Sequence, residues 1–204
     1  MQGFFELPPR RPGRHRQAVR RPAWLGPPED SFGVVVPLHL VLVRTADLAV
    51  AIPGATVYRN GFSFALAIRR AAGEVDPFGL DRALHWFGRE GSPPPEVLRV
   101  GVQFADGQKA TSLDYWWDYL DPQNPQQAPP PGPVLLQHGG GGGGERVRNL
   151  SYWVWPVPPE GPLAFVVEWP ALGVRLTQAR VEAAMIRRAA AQDERLWPAK
   201  PYDA

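Results

Sequence analysis

The chain has 204 residues, 44% of them hydrophobic and 21% charged, with 25 prolines, 21 glycines and no cysteine. That length and apolar share suffice for one domain with a core plus tails, while the missing thiols exclude disulfides, thiolate metal sites and cysteine nucleophiles. No apolar run of about 18 residues is present to form a membrane-spanning helix, so no membrane partner is expected.

Residues 1–32 read as a basic, proline-rich and largely irregular N-terminal arm. Arg10, Arg11, Arg14, Arg16, Arg20 and Arg21 stand against Glu6 alone within residues 1–21, a local charge of +5. The total is +2, which leaves −3 on the rest. No apolar stretch follows these arginines, so a secretory leader is not expected and a cytoplasmic location is. Such an arm is either a solvated tail or a weak contact for nucleic acid, confined to the arm because the body is slightly acidic.

Residues 33–175 carry period-two alternation, the mark of half-buried strands. In "VVVPLHLVLVR", Val34, Val36, Leu38, Leu40 and Leu42 share one face, and Pro37 places the strand at an edge or a bulge. "DLAVAIPGATVY" is extended and bent at Pro53-Gly54. Asn60-Gly61 suits a two-residue hairpin turn before Phe62, Phe64, Leu66 and Ile68. A second hairpin turns at Asp106-Gly107, with Leu98, Val100, Val102 and Phe104 inward. "VLLQ" is a short strand, and "LSYWVWPVP" and "PLAFVVEWPALGV" are the last two, joined as antiparallel neighbours by "PPEGP". Irregular loops are expected at 71–95 and 112–133, and a glycine-run loop at 138–148. Residues 176–197 predict a helix capped by Thr177 and stopped at Pro198, packing a thin stripe of Val181, Met185, Ala189 and Leu196. A tail, 198–204, follows. The expected architecture is an antiparallel β-sandwich with one C-terminal helix.

The run "HGGGGGGER" tests the enzyme readings. A phosphate loop requires Gly-Lys-Ser/Thr opening a helix, and here Glu145 and Arg146 follow. The esterase oxyanion loop that His138-Gly139-Gly140-Gly141 spells requires a Gly-x-Ser-x-Gly elbow, and none of Ser31, Ser63, Ser92, Ser112 or Ser151 lies in one. The run therefore reads as a flexible connector. His15, His39, His85 and His138 have no metal-ligand spacing. No cofactor, metal or catalytic set is assigned.

Asp114, Asp118, Tyr115, Trp116, Trp117 and Tyr119 form the candidate interaction surface, a loop of carboxylates among aromatic platforms. That equipment serves carbohydrate or cell-wall-glycan binding, and with Asp114 or Asp118 as the acid it could serve a hydrolase. The plainer reading has the aromatics covering the sandwich edge. Glu168 is solvent-facing or arginine-paired, and Trp153 and Trp155 share one side of a strand, either core or surface. Read together, "PAWLGPPEDSFGVVVPLHLVLVRT", "GVQFADGQKAT", the glycine run and "WVWPVPPEGPLAFVVEWPALGV" resemble an uncharacterised group of actinobacterial proteins over most of residues 22–198. The group has no assigned activity, cofactor or catalytic residues, so the resemblance implies an actinobacterial, cytoplasmic source and no more. The leading functional expectation is a non-catalytic interaction or structural protein acting through a protein partner or self-association.

Overall fold

Alternating apolar residues build two antiparallel sheets. The structure is a computed structural model and describes residues 22–71, 92–114, 130–143 and 146–198. β1 (Val34–Arg44) buries Val36 and Leu42 and turns Val35, Pro37, His39 and Val41 outward, as the alternation requires. β2 (Leu48–Tyr58) and β3 (Gly61–Arg70) form a hairpin with β3 inserting Phe62, Phe64, Leu66 and Ile68. β4 (Arg99–Gln103) and β5 (Lys109–Thr111) form the second hairpin, with Gly107 at a φ of 87° in its turn. β6 (Val134–Gly143), β7 (Val147–Trp155), β8 (Pro162–Trp169), β9 (Val174–Glu182) and α1 (Ala184–Ala191) follow, and short 3-10 turns lie at Ala23–Leu25 and Pro170–Leu172. One sheet has the order β1-β2-β3-β7-β6 and the other β5-β4-β8-β9.

The core lies between the inner faces. Phe64 meets Phe165 edge-on at 5.1 Å and stacks on Tyr152 at 5.4 Å, so aromatic rings from both sheets lock together. Burial pushes the Tyr152 phenol well up, which keeps it neutral and makes it a packing residue. Ile186 and Ala189 of α1 are buried, and the helix packs against β1 and β2. A fully buried ring or branched side chain of this kind contributes about 1.5–3 kcal/mol.

Pro37 has both consequences expected of it. β1 is an edge strand, and its register shifts between Pro37 and Leu40, where His39 takes a φ of 52°. The missing amide proton and the bulge both discourage pairing by another strand.

Four expectations need correction. The first hairpin turns at Arg59-Asn60, with Tyr58 paired to Gly61. Gly61 is needed for closeness and not for a left-handed turn: a Cβ there would lie 2.3 Å from the Val154 carbonyl oxygen. "PPEGP" joins no neighbours, since β7 and β8 lie in different sheets and the segment crosses between them. The glycine run is not simply a loop, because β6 extends through Gly143, with Gly142 and Gly143 opposite Asn149 and Arg148. Two extra residues are accommodated between His138 and Gly142, opposite only Ser151 to Asn149.

The helix expected at 176–197 is confined to Ala184–Ala191. Residues Val174–Glu182 form β9, with Thr177 opposite Val167, Ala179 opposite Phe165 and Val181 opposite Leu163. Helix formers such as Gln178, Arg180 and Glu182 sit on the exposed positions of that edge strand. Sheet pairing outweighed their intrinsic preference, and their polarity protects the edge. Thr177 caps nothing; its hydroxyl donates to the Arg175 carbonyl. Leu196 lies beyond the helix and is partly exposed.

Candidate functional site

The turn Arg59-Asn60 organises one end of the sandwich. Asn60 Nδ2 donates to the carbonyls of Ala23 at 2.8 Å and Gly26 at 3.3 Å, which fastens the lead-in to the turn. That lead-in covers the outer face of β7. Trp153, which the alternation aims away from the core, is wholly buried there and donates from Nε1 to the Trp24 carbonyl at 3.0 Å. Tyr58 meets its ring edge-on at 5.9 Å and His138 at 6.5 Å. Trp155 is only half-buried, so the two tryptophans of "YWVWP" share a side and differ in cover.

Arg59 fastens the other side. Its backbone N–H donates to Asp193 Oδ2 at 2.9 Å, its Nη1 lies 3.5 Å from the same oxygen, and its Nη2 bonds Asp30. Ser31 Oγ donates to Asp193 Oδ1 and accepts from the Gly33 N–H at 2.8 Å. The Asp193 side chain is only 2% exposed, which these donors make tolerable. The Arg59 hydrogen bond holds the Asp30 carboxyl below its ordinary range, against partial desolvation. Burial, and then the Asp193 carboxylate, push the Tyr58 phenol up.

This clasp joins residues 30–33 to residues 193–196, because Leu196 N also donates to the Asp30 carbonyl at 2.8 Å. Around that one bond lie three outward apolar side chains: Phe32 at 81% exposure, Trp197 at 59% and Leu196 at 37%. Val35 follows at 76%. Isolated exposed hydrophobes are ordinary, whereas a phenylalanine, a tryptophan and a leucine flanking the two ends of one long-range bond are not. The charged residues of this junction are Glu29, Asp30, Asp193 and Glu194 against Arg59 and Arg195, a balance of −2.

The residues singled out from sequence are distributed otherwise. Asp114 is exposed in the turn after β5, where its Oδ2 accepts from Thr111 N at 2.6 Å. Asp118, Tyr115, Trp116, Trp117 and Tyr119 lie outside the described residues, as do Arg10, Arg11, Arg14, Arg16, Arg20, Arg21, His15 and His85. Of the candidate surface, only Asp114 lies among the described residues. Glu168 is paired across strands with Arg99 at 2.5 Å. Trp169, wholly inside, donates from its ring to the Glu96 carbonyl at 2.8 Å. His39 is exposed, and no three histidine or carboxylate groups gather as a metal site among the described residues. No helix there is long and apolar enough to cross a membrane.

No protein-family model matches the chain, and neither does any curated protein or solved structure. The junction must be read from its own chemistry. Sequence reasoning missed Phe32, Arg59, Asp193 and Trp197. The only signal was the recurrence of acid-flanked aromatics, "EDSFG" and "DERLW", in two segments that the fold brings together.

Proposed function

We propose that this chain is a non-catalytic β-sandwich protein that acts by contact with a protein partner, through the surface around Phe32, Leu196 and Trp197. The observation that supports this reading is the exposure of those side chains on a junction fixed by the clasp. Tryptophan, phenylalanine and arginine are enriched at the energetic centres of protein interfaces, and a rigid support spares the ordering cost of binding. Arg59 and Arg195 pair with Asp30 in the segment that carries Phe32, which supplies charged groups of the kind a rim uses. A second copy of the chain is a partner the same test identifies.

The test is a full chain carrying Phe32→Ser and Trp197→Ser, compared with the natural chain by gel filtration of native extracts from its own cells. The variant should keep its urea midpoint and lose the larger assembly. An assembly of unchanged size would refute the reading. A natural assembly of twice the chain mass would identify the partner as a second copy.

A further inference from the structure

We propose that the surface around Phe32, Leu196 and Trp197 is also the docking site of the chain's own basic arm, residues 1–21, which competes there with the partner. The inference rests on reading that surface as the contact site, and it adds a regulator to it.

Reach comes first. The arm ends at Arg21, directly before the lead-in whose Ala23 and Gly26 carbonyls are held by Asn60. The adjacent residue, Arg59, holds Asp30 and Asp193 at the apolar junction. The root of the arm and the surface are thus fastened to the two residues of one turn. An extended chain gains about 3.3–3.6 Å per residue, so a third of the arm already spans a small domain's end. A tethered segment of that kind meets its site at an effective concentration of about a millimolar, enough to make a weak site count.

Chemical fit comes second. The arm carries six arginines against Glu6, a charge of +5, and the junction carries four carboxylates against two guanidiniums. Of those carboxylates, Glu29 and Glu194 are both exposed, three residues from Phe32 and two from Leu196 along the chain. Arginine planes stack on aromatic rings, and the rings on offer are Phe32 and Trp197. "LPPRRP" at residues 7–12 combines prolines, which favour extended backbone at low entropic cost, with two arginines. Proline-rich segments with basic neighbours are what exposed aromatic surfaces with an acidic rim recognise.

Limited trypsin digestion of the full chain tests this, because Arg10, Arg14, Arg16 and Arg20 of the arm, none of them followed by proline, are cleavage sites. Cleavage within residues 1–21, followed by intact mass, should be about fivefold faster in the Phe32→Ser, Trp197→Ser chain than in the natural one. High salt should abolish most of that difference. If the double variant does not fold, Glu29→Gln with Glu194→Gln, both at the surface, carries the same test and should speed cleavage about twofold. Equal cleavage rates in natural and variant chains would overturn the proposal. Protection that disappears on dilution would overturn it too, by assigning the docked arm to a second copy. The assembly measured in extracts separates the two readings. Equal arm cleavage with a surface-dependent assembly removes only the arm, and surface-dependent arm protection with an unaltered assembly removes only the partner.

Discussion

Asp193→Ala is the perturbation that weighs the clasp. The natural carboxylate, 2% exposed, accepts from Ser31 Oγ, from the Arg59 N–H at 2.9 Å and from Arg59 Nη1 at 3.5 Å. Truncation leaves the Arg59 N–H without its acceptor, at about 1–3 kcal/mol for an enclosed donor. The Ser31 hydroxyl can rotate and still accepts from Gly33, so it adds less. The Arg59 guanidinium is 29% exposed and keeps Asp30, so its screened share is small. The loss should be about 3 kcal/mol in urea unfolding with an unchanged slope, and about 6–12 °C in melting temperature for a domain of this size. Asp193→Asn retains one acceptor and should fall between the two. A loss below about 1 kcal/mol for Asp193→Ala would mean that the clasp is open in solution, and the junction would then offer no rigid support.

Gly61→Ala should cost about 1–3 kcal/mol, because its Cβ would meet the Val154 carbonyl at 2.3 Å and the Trp153 ring at 2.8 Å; an unchanged urea midpoint would deny that the hairpin and Trp153 are so tightly packed. Deleting two glycines from 139–141 should leave stability within about 0.6 kcal/mol, since it removes the two extra residues and makes the β6–β7 register continuous. A larger loss in urea unfolding would give the bulge a structural role. Asp30 titrates below its ordinary range in the folded chain, so its contribution is fully present above the unfolded carboxyl value near ~3.9 and is lost as pH falls through the lower folded value. Stability measured down that acid window should fall less steeply for Asp30→Asn, and identical curves would contradict the assignment.

The fold was legible where one face of a strand is buried. Phe62, Phe64, Val100 and Val102 alternate against polar or small neighbours, and their pattern is their position, whereas Val36 and Leu42 alternate with outward valines and are placed by period alone. β9 was not legible, because its inward residues are Thr177, Ala179 and Val181 while its outward ones are helix formers; only pairing with β8 decides between the two states. Trp153 shows a different limit. Its alternation correctly points away from the core, and its burial depends on a lead-in that returns from 129 residues away in sequence to accept its indole proton. The junction was illegible for the same reason: Phe32 and Trp197 are unremarkable apart, and the bond from Leu196 N to the Asp30 carbonyl that brings their segments together is long-range.

The central claim, that this surface is where the chain meets its partner, is tested most directly by a photocrosslinking residue placed at Phe32 in the full chain and, separately, at Gln178 on the exposed side of β9. Irradiation of the native assembly should give one discrete adduct from position 32, lost when Trp197 is also changed to Ser, and none from position 178. Equal adducts from both positions, or none from position 32 in an assembly that is demonstrably intact, would contradict it.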